Sequence, residues 1–171
     1  MSKQEYEMQR QWADGFLDLQ KEILNENMMH IDFNKCKLRK AAKYIPEDDM
    51  SKNTDLMIYL YKNLRIALRV RDTESCPFRD LTIRSRNGGH KTEIDKIREG
   101  YGDYMLYCWG SEENKIHKIH EWALVDLDEF RKKEDQLAFT EIANYDGRTW
   151  FYIYNLKQLK QKNVIVNQSL Q

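Results

Sequence analysis

Asp55-Leu56-Met57-Ile58-Tyr59-Leu60-Tyr61-Lys62-Asn63-Leu64-Arg65-Ile66-Ala67-Leu68-Arg69-Val70-Arg71 reads as two strands joined by a turn at Lys62-Asn63. The second strand alternates strictly: Leu64, Ile66, Leu68 and Val70 on one face, Arg65, Ala67, Arg69 and Arg71 on the other. A third strand, Phe78 to Ser85, follows Pro77, with Phe78, Leu81 and Ile83 apolar and Thr82 and Arg84 opposite. Asn87-Gly88-Gly89 breaks it, Thr92 to Glu99 reads as a helix stopped by Gly100, and Asp103 to Trp109 reads as a buried strand.

Working outward, Met8, Trp12, Phe16, Leu19 and Ile23 recur at steps of four, four, three and four. That stripe predicts one long amphipathic helix from Gln4 to Glu26. A shorter helix is expected over Asn34 to Tyr44, ahead of Pro46. In the last third, Trp122 to Asp126 and Trp150 to Asn155 each read as a strand running into a helix. The caps Asp126 and Asn155 stand three residues before Glu129 and Gln158. The segment 162–171 is expected to fray. Interleaved strands and helices imply an α/β (α+β) fold of one domain over 1–171, a mixed central sheet flanked by helices.

Composition narrows the function classes. The chain has 171 residues, enough to bury roughly two thirds of the surface its unfolded form exposes without disulfides or metal. Lys+Arg and Asp+Glu both number 28, so overall charge gives no argument for a polyanion partner. The charge is unevenly spread, however. Lys62 to Arg98 holds ten basic residues and five acidic ones, leaving that segment at +5 and the remainder at −5. Cys36, Cys76 and Cys108 form no CxxC pair, which fits reduced thiols and a cytoplasmic protein. The N-terminus lacks a signal-peptide core, and no apolar run reaches membrane-spanning length.

Chemistry concentrates in the cationic segment. If the second and third strands pair antiparallel, Arg69, Arg71, Thr82 and Arg84 project together, either as a solvated outer face or as a phosphate-binding surface. Guanidinium forks match phosphate oxygens better than ammonium groups do. Arg84-Ser-Arg86-Asn-Gly-Gly-His90-Lys91 then leads into a helix start whose first N–H groups attract anions. Among the acids, Asp55 opens a strand, and Glu93 and Lys96 share the following helix, either as an exposed ion pair or as parts of a site. Acids that hold magnesium and a cation beside the phosphate are what metal-assisted phosphodiester cleavage requires. His117 and His120, three apart on a strand, face opposite sides and make no ligand pair.

This order resembles the core of the PD-(D/E)XK, or restriction-endonuclease-like, nucleases: helix, strand opened by an acid, return strand carrying a cation, third strand, helix, strand. The matching stretches are Thr54-Asp55-Leu56, Leu64 to Arg69, and Lys91 to Lys96. The resemblance implies a magnesium-dependent hydrolase acting on DNA or RNA. It places Asp55 and Glu93 as metal ligands, Arg69 in the position of the motif lysine, and Lys96 beside the phosphate. Arg71, Arg84, Arg86 and Lys91 would hold the strand. Ala67 stands where the family carries an acid, two residues before the cation, and Glu93 would be its migrated replacement. The rival expectations are a non-catalytic nucleic-acid or nucleotide-binding module, and a small phage- or mobile-element-type accessory factor that docks on a host protein.

Overall fold

The computed structural model describes residues 3–27, 39–40, 56–58, 64–73, 78–145 and 147–169. In chain order the elements are α1 (Lys3–Asp14), α2 (Leu17–Asn27), β1 (Arg39–Lys40), β2 (Leu56–Ile58), β3 (Leu64–Asp72), β4 (Asp80–Asn87) and α3 (Glu93–Arg98). Then come β5 (Tyr104–Glu113), β6 (Ile116–Asp126), α4 (Leu127–Lys133), a 3₁₀ turn (Glu134–Gln136), β7 (Phe139–Ala143), β8 (Thr149–Asn155), α5 (Leu156–Gln161) and β9 (Ile165–Gln168). The expected α+β class holds, but the strands divide into two sheets. One has the order β1-β2-β3-β5-β6-β9 and the other β4-β8-β7.

The alternating strand of the sequence is β3, and it lies inside the larger sheet, antiparallel to β2 and parallel to β5. A parallel neighbour needs a crossover, and here β4 and α3 supply it. Both faces of the sheet are therefore covered. Ile66, Leu68 and Val70 join Leu106, Cys108 and Leu124 under Leu24 of α2. On the reverse face, Ala67, Met105, Tyr107, Trp109, Ala123 and Val125 pack with Leu81, Ile83 and Tyr154 of the smaller sheet and with Ile94, Ile97 and Phe130 of the helices. The solvated outer face is thus not what β3 presents: its arginine side turns toward the second sheet.

Four expectations change. The third strand does not pair with β3; β4 pairs with β8 from Asp80↔Asn155 to Asn87↔Thr149. Arg39–Lys40, in the middle of the expected Asn34–Tyr44 helix, is a short strand opposite Leu56 and Met57, and the rest of that segment lies outside the described residues. Within the segment 162–171, expected to fray, Ile165–Gln168 forms β9 on β6 next to fully buried Val164, whose carbonyl accepts the Asp126 N–H. The long N-terminal helix is two helices, broken at Gly15-Phe16.

That break has a packing cause. A Cβ on Gly15 would run into the His117 imidazole, and a Cβ on Gly110 would run into the Phe16 ring. Each glycine thus receives an aromatic ring from the other element, and Phe16 sits edge-on to His117 with ring centroids 4.7 Å apart. Phe16 is fully buried while Met8, earlier in the same stripe, is 55% exposed, so the docking is carried by the second half of the stripe.

Both inferred caps form. Asp126 accepts the N–H groups of Asp128 and Glu129, and Asn155 accepts those of Lys157 and Gln158. At the end of α3, Gly100 takes a φ of +87°, a conformation glycine reaches without a Cβ penalty, and Tyr101 donates back to the Lys96 carbonyl. Gly15→Ala should cost about 1–3 kcal/mol through overpacking. A double-mutant cycle by urea unfolding with His117→Ala should show coupling, because deleting the ring removes the clash.

Candidate functional site

Glu93 opens α3 with only 7% of its side chain exposed. Arg69 reaches it from β3, its Nε and Nη2 donating to Oε1 at 3.0 and 2.7 Å. The other carboxylate oxygen, Oε2, accepts the backbone N–H of Arg84 on β4 at 3.2 Å. Lys96, three residues along α3 and so on the same face, is also buried. The reading of Glu93 and Lys96 as an exposed surface pair is therefore replaced by two buried charges, of which Glu93 is held by Arg69. Arg69 and Glu93 meet where β3, β4 and α3 join, with Lys96 buried on the same helix; Asp55 lies outside the described residues.

A second polar rung lies further along β3. Arg71 Nη1 donates to Thr82 Oγ1 at 2.9 Å and reaches Asp80 Oδ1 and the Tyr107 hydroxyl, each at 3.4 Å. Thr82 and Tyr107 share a hydrogen bond at 2.6 Å. Of the four side chains expected to meet through strand pairing, Arg71 and Thr82 do meet, but across two sheets. Burial pushes the Asp80 carboxyl above its ordinary range, and the opposing pull of Arg71 is too weak at 3.4 Å to reverse this. Asp80 escaped the sequence reading because nothing local distinguishes it from a strand-opening surface acid.

Five further cations of the segment have acidic partners drawn from elsewhere in the chain. Arg65 pairs with Asp103 at 3.1 Å, Lys91 with Glu99 at 2.5 Å and Arg98 with Glu134 at 2.6 Å. Arg79 pairs with Glu121. Arg86 grips Glu141 through Nε and Nη2 at 3.0 and 2.7 Å and lies over the Trp150 ring. All five of these acids lie outside Lys62–Arg98, so together they match the +5 excess of that segment. The cationic run is the positive half of an internal interlock between distant parts of the chain.

The glycine turn leads into a helix start that carries its own cap. Gly88 and Gly89 take φ of +53° and +85° in an exposed turn. The start of α3 is already served by its own carboxylate: Asp95 accepts from the Thr92 N–H at 2.9 Å and from Thr92 Oγ1 at 2.7 Å. These bonds hold the Asp95 carboxyl below its ordinary range.

The histidines separate as expected. His120 Nε2 lies 2.8 Å from Ser111 Oγ, whereas His117 packs on Phe16 with Glu112 at 3.3 Å. Burial pushes the Cys108 thiol up to about 12, which makes it unreactive. Among the described residues no three His, Cys, Asp or Glu side chains converge as metal ligands. Glu93, the one metal candidate among them, has each of its oxygens engaged by a protein donor. Among those residues also, no helix is long and apolar enough to cross a membrane.

Comparison with known protein families, with characterised proteins and with solved structures finds no match to this chain.

Two outcomes follow from the rungs. Glu93→Gln leaves a guanidinium beside a neutral amide and should cost about 2–3 kcal/mol by chemical denaturation. That is less than the 3–5 kcal/mol typical of a broken buried pair, because Arg69 keeps 40% of its side chain exposed. Asp80 titrates in the opposite sense to Asp95. Its folded pKa is raised above the unfolded value of 3.8, so its contribution to stability is largest at low pH and is lost as pH rises through the folded pKa. Relative to Asp80→Asn, the wild-type chain should gain stability on acidification toward pH 3.8, read from urea midpoints across a pH series.

Proposed function

We propose that this is a nuclease-like protein that holds nucleic acid without cutting it. The supporting observation is the Arg69–Glu93 contact. The carboxylate that would bind metal and the cation that would meet the scissile phosphate satisfy each other at 2.7 Å, and the second carboxylate oxygen is taken by the Arg84 amide. The remaining fit is to the nucleic-acid backbone. Arg86 and Lys91 keep 62% and 50% of their side chains exposed beside the glycine turn. Exposed pairs of this kind are screened by solvent and weakly held, so a polyanion competes for them, whereas the half-buried Arg69 and Arg71 stay with their partners.

A second reading, an active magnesium-dependent nuclease, draws support from the shared burial of Glu93 and Lys96 on one helix face. It requires Asp55 to join Glu93 at the metal.

Fluorescence anisotropy with labelled single- and double-stranded DNA and RNA tests the proposal. Binding should weaken linearly in log Kd against log salt, with a slope of about 0.7–0.9 per phosphate contacted. Arg86→Ala with Lys91→Ala should weaken binding and reduce that slope, and no substrate should be cut in magnesium or manganese. Absent or salt-independent binding would remove the proposal. Cleavage lost in both Asp55→Ala and Glu93→Ala would put the active nuclease in its place.

A further inference from the structure

Among the described residues the smaller sheet has three strands, and β7 forms one of its edges. Asn144 N–H donates to the Thr149 carbonyl at 2.7 Å, which fixes the phase of the ladder between β7 and β8. Hydrogen-bonded pairs alternate along an antiparallel ribbon, so Ile142/Phe151 and Thr140/Ile153 turn their main-chain groups inward. The N–H and C=O groups of Phe139, Glu141 and Ala143 therefore point outward from the sheet. Just before the strand, Ala138 fits the same phase: the Gln158 amide, in the orientation that satisfies both its atoms, bonds the Ala138 N–H and carbonyl at 3.0 Å each. Among the described residues no strand pairs with the outer edge of β7.

Edge strands are normally protected by lysine, proline, a bulge or a covering loop, because an open ladder templates pairing with another chain. Phe139-Thr140-Glu141-Ile142-Ala143 contains no lysine or proline, and its pairing with β8 runs without a register shift. Phe139 and Ile142 are 47% and 45% exposed, and Tyr145 in the following turn is 98% exposed.

We propose that β7 is a homodimer interface, pairing antiparallel with β7 of a second copy about a two-fold axis through Glu141. The register is selected by self-complementarity. Centring on Glu141 sets Glu141 opposite itself and Phe139 opposite the partner copy's small Ala143, so all three outward residues of each copy exchange bonds, about six in all. A centre at Phe139 or Ala143 leaves outward groups of both copies unpaired. Two glutamates directly opposite would ordinarily repel. Here each carboxylate is already held by the Arg86 guanidinium and the Ser85 hydroxyl, so the interface charge is balanced within each copy. The result is one six-stranded sheet, with Thr140 and Ile142 of the two copies adjacent on its other face. This dimer does not depend on the nucleic-acid reading, and its test contains no nucleic acid.

Light scattering coupled to size exclusion, over a concentration series of the full chain, should give twice the monomer mass at the upper end. In Ala143→Pro the lost N–H points out of the sheet, so the ladder to β8 keeps its bonds and the mass should fall to the monomer with an unchanged circular-dichroism spectrum. Should that variant misfold, cysteine crosslinking decides. Hydrogen-bonded partners lie about 5.5 Å apart between Cα atoms, within disulfide range. Glu141→Cys should therefore crosslink the dimer under mild oxidation beyond the wild-type background. Ile142→Cys, whose two copies would lie roughly 8 Å apart, should not. A wild-type chain monomeric throughout overturns the proposal, and so does a dimer that Glu141→Cys fails to crosslink. An edge that binds an extended foreign peptide while the chain stays monomeric also overturns it.

Discussion

The Arg69–Glu93 pair holds three elements in register. Arg69 comes from a strand buried on both faces, Glu93 from the first turn of α3, and the second carboxylate oxygen fixes the backbone of β4 through Arg84. A charge as deeply buried as Glu93 is tolerated only with its hydrogen bonds filled, so β3, β4 and α3 have one arrangement that satisfies it. A pair of this kind adds little net stability compared with apolar groups of the same size, but losing one partner is costly. Its consequence is that the crossover from β3 to β5 is fixed where the two sheets face each other.

The same logic extends across the fold in weaker form. The excess positive charge of Lys62–Arg98 and the excess negative charge of the remainder are two halves of one pattern. Arg65, Arg79, Arg86, Lys91 and Arg98 each reach an acid that follows the segment in sequence, from Glu99 to Glu141. These contacts tie α3 to the 3₁₀ turn, β4 to β7, and the approach to β4 to β6. Most are partly exposed and individually small in energy, but together they offset the +5 excess of the segment. The potential at the surface is therefore set by how readily the exposed pairs yield, not by the number of arginines.

Several features were legible from local signals. The alternation of Leu64–Arg71 gave a strand, Gly100 a helix end, and Asp126 and Asn155 gave caps that form as expected, because each depends on neighbours within a few residues. Gly15 was the missed local sign. A glycine inside an otherwise continuous apolar stripe marked the helix break, but only the His117 ring on it shows why. Asp80 and Tyr107 were not legible as parts of a polar rung, since their partners come from another sheet and their significance comes from burial.

What the sequence alone determined is the α+β class, the identity of β3 and α3, and the gathering of basic residues between them. Periodicity, capping and composition act over short stretches, and chain order carries them. Only the tertiary structure decided that β4 leaves β3 for a second sheet, that Arg69 and Arg71 turn inward, and that the cations meet acids far along the chain. Those outcomes rest on which surfaces are buried against each other. A charge read along the chain has a sign but no partner until folding supplies one.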